Sequence, residues 1–126
     1  MALYAAFLDR DFSTPGNDGF QTVLNNETTY ILVAEDDSKL AGFITASVRP
    51  VVRYVRPIMQ IDELYVDPDF REHGVGRQLI QGAETIGVEN NCHAIYIESG
   101  FDYTVAHKFY EKNSYEKVGY YFKKVL

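Results

Sequence analysis

One connection limits the fold of this chain more than any other. Ile58 to Val66 is a largely apolar run of strand character. It stops at Asp67-Pro68-Asp69, because proline has no N–H for a ladder and aspartate favours turns. Arg71-Glu72-His73-Gly74-Val75-Gly76 follows, and Val75, Leu79, Ile80, Ala83 and Ile86 then fall on one stripe. That spacing predicts an amphipathic helix from Gly74 to about Glu89. Cys92 to Glu98 is a second near-continuous apolar run, as expected of a strand covered on both faces. Strand, helix and strand in that order predict a parallel pair joined by a crossover helix.

The remainder predicts the other elements. Thr29 to Glu35 reads as a strand, Asp36-Asp37-Ser38-Lys39 as a turn, and Leu40 to Val48 as the antiparallel partner. Val51 to Arg56, bracketed by Pro50 and Pro57, is a loop or an edge continuation. Leu3, Phe7 and Leu8 have helical spacing within Leu3 to Phe12. Ser13 to Asp18 is dense in turn formers, and Asn17 or Asp18 could cap a short helix burying Phe20, Val23 and Leu24. Thr104 to Lys112 predicts a second long helix, and Lys117 to Leu126 a final strand. The fold class expected is α/β (mixed α+β): a central mixed, mostly antiparallel sheet flanked by helices. No repeat, low-complexity tract or linker divides residues 1–126, so one domain is expected.

Composition removes several function classes. The single Cys92 excludes an intrachain disulfide and fits a reducing compartment. No apolar run is long enough to span a bilayer, and the first residues lack a signal peptide's basic lead. A cytoplasmic protein, not engaged with a membrane, is expected. The net charge of −6 argues against nucleic acid and suits a cationic small substrate, although acidity also serves solubility alone. His73, His93 and His107 have no ligand spacing, so no metal is expected.

The stretch from Arg71 to Arg77 carries the functional signal. A bound pyrophosphate needs several backbone N–H groups aimed at one place, and a helix N-terminus supplies them with a favourable dipole. Glycines at 74 and 76 allow close approach, and Arg71 and Arg77 add positive charge. A P-loop is excluded because no Lys-Ser/Thr follows the glycines. A dinucleotide fingerprint is excluded because Leu79 stands at its third glycine.

Arg71-x-x-Gly74-x-Gly76, preceded by Leu64-Tyr65-Val66-Asp67-Pro68 and followed by Arg77-Gln78-Leu79-Ile80, resembles the acetyl-CoA motif of the GNAT superfamily of N-acetyltransferases. Ala106-His-Lys-Phe109-Tyr110-Glu-Lys-Asn-Ser-Tyr115 is similar to that family's Ala-x-x-Phe-Tyr-Glu-Lys-x-Gly-Phe segment, in the family's order and spacing. The likeness runs from about Thr29 to the C-terminus.

The resemblance implies a GNAT-like sheet with a splayed parallel pair, and transfer of acetyl from acetyl-CoA to an amine by direct attack. Backbone groups of Leu64, Tyr65 and Val66 would pair with pantetheine. The loop Arg71, Glu72, His73, Gly74, Val75, Gly76 and Arg77 would take the pyrophosphate, and Tyr103, Ala106 and Phe109 would also meet the cofactor. Tyr110 matches the tyrosine that protonates the departing thiolate. Asp62 and Glu63 lie where some members place an acidic pair. Either carboxylate, or a water held by one, could take the substrate's proton, with Glu63 preferred for reach. Strand alternation would aim only one of them into the cleft. A non-catalytic acyl-CoA-binding sensor or regulatory domain is the alternative reading.

The sequence also departs from the family pattern. Tyr103 stands in place of a frequent asparagine, and Ser114 in place of a glycine, with Asn113 able to take the left-handed turn. The family's first strand is missing by sequence, which would leave an open sheet edge that a second subunit could cover. The resemblance also implies a dimer, since members of the family often form one, so a homodimer is expected.

Overall fold

The computed structural model describes the backbone of residues 2–5 and 19–126, and side chains from residue 21 onward. The expected caps Asn17 and Asp18, the helical spacing of Phe7 and Leu8, and the side chain of Phe20 lie outside the described residues. The elements are β1 (Ala2–Ala5), α1 (Gly19–Leu24), β2 (Thr29–Asp36), β3 (Lys39–Arg49), β4 (Ile58–Val66), a 3₁₀ turn (Pro68–Phe70), α2 (Val75–Glu89), β5 (Ile95–Ile97) and α3 (Thr104–Lys112). They form two compact units, Met1–Tyr96 and Ile97–Leu126.

The sheet order is β1-β2-β3-β4-β5, and β1 to β4 pair antiparallel. The β2–β3 hairpin turns at Asp37 (φ 47°) and Ser38 (φ 66°). Two consecutive left-handed residues match the twist of the flanking strands. Beside β4 the chain returns in the same direction: His93 N–H donates to the Pro57 carbonyl at 2.7 Å and Met59 N–H to the Ala94 carbonyl at 3.0 Å. Both partners advance together along the sequence, as a parallel pair requires.

Both faces of β2 are covered. Ile31 and Val33 pack with Val23 and Leu24, and with Leu40 and Phe43. On the opposite face α2 buries Val75, Leu79, Ile80 and Ala83 of the expected stripe, together with Gly87, while Ile86 is half-buried. Ile44, Ile58, Met59 and Ile61 are also fully buried. The segment between β3 and β4 is a loop, held by Tyr54 stacked on His93 at 3.9 Å, with the Tyr54 and Tyr96 hydroxyls 3.4 Å apart.

Gly42 makes one close approach that no other residue could. A Cβ there would stand 2.5 Å from the Tyr65 carbonyl oxygen and 3.2 Å from Leu79 Cδ1. The first neighbour is backbone and cannot swing away. Gly42→Ala is therefore expected to destabilise the protein by about 1–3 kcal/mol through overpacking. Urea unfolding should show a lower midpoint with an unchanged slope. An unchanged midpoint would mean that β4 yields freely at Tyr65.

Three expectations are corrected. The first strand is present: Ala2–Ala5 pairs with β2 from Ala2↔Glu35 to Ala5↔Leu32, so Leu3 lies in a strand and not at the start of the expected helix. Its state is decided by the ladder groups that β2 offers, not by its own Ala-Leu-Tyr-Ala sequence, which has no β-branched residue. The edge of β2 that motivated the homodimer is thus occupied by β1. The strand after α2 is only Ile95–Ile97, with intermediate burial rather than full cover. Residues 117–126 are in neither helix nor strand, and Tyr120, Phe122 and Val125 are exposed. Their alternation suits a strand, but side-chain pattern alone supplies no ladder for the backbone.

Candidate active site

The strand β4 delivers the chain to the glycine loop through a fixed sequence of contacts. Its ladder with β3 continues past Val66, where Asp67 N–H donates to the Ala41 carbonyl at 2.8 Å. Asp67 Oδ1 then accepts the Asp69 N–H at 2.9 Å and starts the 3₁₀ turn. Arg71 folds back so that its Nε donates to the Val66 carbonyl at 3.4 Å. Arg71 thereby braces the loop against the strand end. Glu72 (φ 65°) and Gly74 (φ 81°) are both left-handed, on either side of His73.

Gly74 is the N-cap of α2, and no side chain caps this helix. The first bond within it runs from Gln78 N–H to the Gly74 carbonyl at 3.1 Å. The N–H groups of Val75, Gly76 and Arg77 belong to the first turn and have no carbonyl within the helix to meet. Arg71, Glu72, His73 and Gly74 are exposed, while Val75 is buried and anchors the turn. An uncapped helix start with a left-handed glycine and two arginines fits a pyrophosphate, through unpaired donors and the positive end of the helix dipole. Leu64, Tyr65 and Val66 lie just before it on β4; the Tyr65 ring packs on Phe43 at 5.6 Å.

The acidic pair sits at an irregularity. Thr45 pairs with Glu63, but Ala46 pairs with Ile61, so β4 has an extra residue, Asp62, opposite β3. This is a β-bulge. It interrupts the strict alternation from which the sequence assigned Asp62 and Glu63 to opposite faces. Both side chains are exposed. The Glu63 carboxyl is raised above its ordinary pKa, first by partial desolvation and second by the charge of Asp62. Thr45, buried on β3 opposite Glu63, donates its hydroxyl to Glu63 Oε2 and accepts the Glu63 N–H at 3.0 Å.

In the second unit, α3 begins after Tyr103, whose N–H donates to the Gly100 carbonyl at 3.2 Å. His107 Nε2 lies 2.8 Å from the same carbonyl. Ala106, Phe109 and Tyr110 are half-buried, and Tyr103 is 67% exposed. Burial pushes the Tyr110 phenol above its ordinary pKa. The helix ends with Tyr115 N–H on the Tyr110 carbonyl at 3.0 Å. Ser114 itself, not Asn113, takes the left-handed conformation (φ 73°), which corrects the expectation for that turn.

Residues 2–115 match the Acetyltransferase (GNAT) family. The chain belongs to this family. The uncharacterized N-acetyltransferase YhfO of Bacillus subtilis is 26% identical over 117 residues, covering 90% of this chain and 77% of its own. The aminoglycoside N(6')-acetyltransferase type 1 of Salmonella typhimurium is 25% identical over 102 residues, covering 77% of this chain and 69% of that protein. Among solved structures, an aminoglycoside acetyltransferase from an uncultured soil metagenomic sample, in complex with trehalose, superposes with a TM-score of 0.79. It is 24% identical and covers 93% of this chain and 78% of its own. That likeness shows the GNAT fold.

Within this GNAT domain, sequence reasoning missed Thr45. The residue lies in β3, far from Glu63 in sequence, and only the pairing register brings them together. A hydroxyl within the otherwise apolar run from Leu40 to Ala46 was the local signal. Among the described residues, no group of His, Cys, Asp or Glu is placed to hold a metal ion. No described helix is long and apolar enough to cross a membrane. Burial raises the Cys92 thiol above its ordinary pKa, which makes it a poor nucleophile.

Proposed function

We propose that the protein is an N-acetyltransferase that moves the acetyl group of acetyl-CoA to a primary amine of a small molecule or peptide, by direct attack in a ternary complex. The observation that carries this reading is the uncapped start of α2 at left-handed Gly74, immediately after β4, in a chain of the GNAT family. Acetyl-CoA supplies the acyl group as a thioester. The N–H groups from His73 to Arg77 bind its pyrophosphate, with Arg71 shaping the loop. Backbone groups of Leu64, Tyr65 and Val66 satisfy the pantetheine amides, which would otherwise be buried unpaired. Tyr103, Ala106 and Phe109 add cofactor contacts.

The amine must lose a proton before it can attack. At pH 7 an amine of pKa about 10.4 pays roughly 4 to 5 kcal/mol to become neutral. Glu63, or Asp62 beside it, takes that proton directly or through a water. Tyr110 gives its proton to the departing thiolate, and its raised pKa keeps the phenol protonated through the working range. A cationic acceptor suits the chain's charge of −6, and aminoglycosides come first among candidates because named relatives act on them. A single domain over residues 1–126, a homodimer and a cytoplasmic location complete the proposal.

The test is release of free thiol from acetyl-CoA in the presence of aminoglycosides, polyamines, amino acids and peptide N-termini in turn. Amine-dependent release is expected with at least one class. CoA alone should raise the melting temperature by mass action. Binding of CoA without turnover of any amine would leave a sensor domain instead. Preference for ATP or NAD over CoA would sink the assignment of the loop.

A further inference from the structure

The geometry points to Thr45 as the positioning residue of the proposed base: one hydroxyl holds both the Glu63 carboxylate and the bulge that carries it. The inference rests on the reading of Glu63 as base and adds how that base is aimed.

Thr45 is 4% exposed and is the buried polar side chain among the described residues of the core. A hydroxyl has one proton to give and two lone pairs. Here the proton goes to Glu63 Oε2 and a lone pair receives the Glu63 N–H at 3.0 Å. The second bond has a structural cause. The extra residue Asp62 disturbs the ladder where Thr45 faces Glu63, and the hydroxyl gives the Glu63 N–H an acceptor there. Backbone and side chain of Glu63 are thus gripped by the same atom. With Oε2 held by Thr45, Oε1 keeps both its lone pairs for the ammonium proton.

The bond also acts on charge. A donor to the ionised carboxylate favours that form, whereas partial desolvation and the neighbouring charge of Asp62 oppose it. Asp62 is the charged group that acts on Glu63 among the described residues. Valine has nearly the shape of threonine but can neither donate nor accept. Thr45→Val should therefore free the carboxylate and remove one stabiliser of its charge. Serine keeps both bonds.

The experiment compares Thr45→Val and Thr45→Ser with the parent by two readouts: the Glu63 carboxyl titration by carbon NMR, and the pH profile of kcat/KM. For valine, the Glu63 midpoint and the acidic limb should both move up by about one pH unit. kcat/KM should fall roughly tenfold, part of the 10²–10⁴ that a general base contributes. CoA-induced thermal stabilisation should persist, and serine should restore the parental profile. A lost fold would instead abolish the CoA-induced shift and bring the Glu63 midpoint down towards the free glutamate value, the opposite direction. Should Thr45→Val not fold, Thr45→Ala is read the same way. Identical Glu63 midpoints and acidic limbs in parent and variant would overturn the role of Thr45. The parallel Glu63→Gln variant separates the two readings. If its acidic limb survives, the base reading falls and the positioning role falls with it. If the limb is lost there but unmoved in Thr45→Val, only the inference about Thr45 falls.

Discussion

Gly74→Val is expected to abolish stabilisation by CoA while leaving a folded protein. Gly74 holds φ at 81°, in the left-handed region where a β-branched residue is a genuine outlier. A Cβ at this position meets no other atom within 4 Å. The penalty is therefore conformational rather than steric, about 1–2 kcal/mol for an L-residue and more for a branched one. The loop can escape it by rotating away from the left-handed form, which turns the first N–H groups of α2 off their common point. A tenfold loss of affinity corresponds to about 1.4 kcal/mol, so loss of one or two well-aimed donors suffices to remove the thermal shift at ordinary CoA concentrations. Gly74→Asn refines the test, because asparagine tolerates the left-handed form. If backbone conformation is what matters, asparagine retains most of the CoA shift. If close approach of the anion matters, asparagine fails as valine does. Parental CoA affinity in Gly74→Val, measured by calorimetry, would remove the α2 start as the phosphate site.

The parts of this site that the sequence made legible are the local ones. The α2 stripe follows from the spacing of Val75, Leu79, Ile80, Ala83 and Ile86; the first four are buried as that spacing requires and Ile86 is half-buried. The β2–β3 turn follows from Asp37 and Ser38, small polar residues that accept positive φ. The loop from Arg71 to Gly76 is written in glycine and arginine, whose reasons for being there are also local. What was not legible depends on pairing between distant segments. Ala2–Ala5 becomes a strand because β2 has an edge to fill. Residues 117–126 have an alternating pattern and form no strand. The bulge at Asp62 is a mismatch between the registers of β3 and β4, which no spacing within β4 reveals. It is also the feature that changes the chemistry most. Regular alternation separates the two carboxylates, whereas the bulge breaks that alternation and sets Thr45 against Glu63.

The largest effect on turnover is expected from Glu63→Gln. Glutamine keeps the size and the ability to accept from Thr45, but it cannot take a proton from an ammonium. kcat/KM should fall by about 10²–10³, within the range of general base catalysis, with CoA affinity unchanged. The pH profile gives the sharper test. A base works in its ionised form, so its contribution is present above its pKa and lost as the pH falls through it. Partial desolvation, then the charge of Asp62, hold the Glu63 carboxyl above the ordinary glutamate value of about 4.3. The acidic limb of the parent should accordingly lie above that value, and Glu63→Gln should lack it. Asp62→Asn removes the like charge but not the desolvation. Its acidic limb should therefore move to lower pH while most of the rate is kept, the opposite direction from removal of the Thr45 hydroxyl. If Asp62→Asn instead loses the limb, the bulge presents Asp62 rather than Glu63 to the amine. If both variants keep the parental profile, neither carboxylate is the base. Solvent would then deprotonate the amine, leaving substrate positioning and Tyr110 as the protein's contributions.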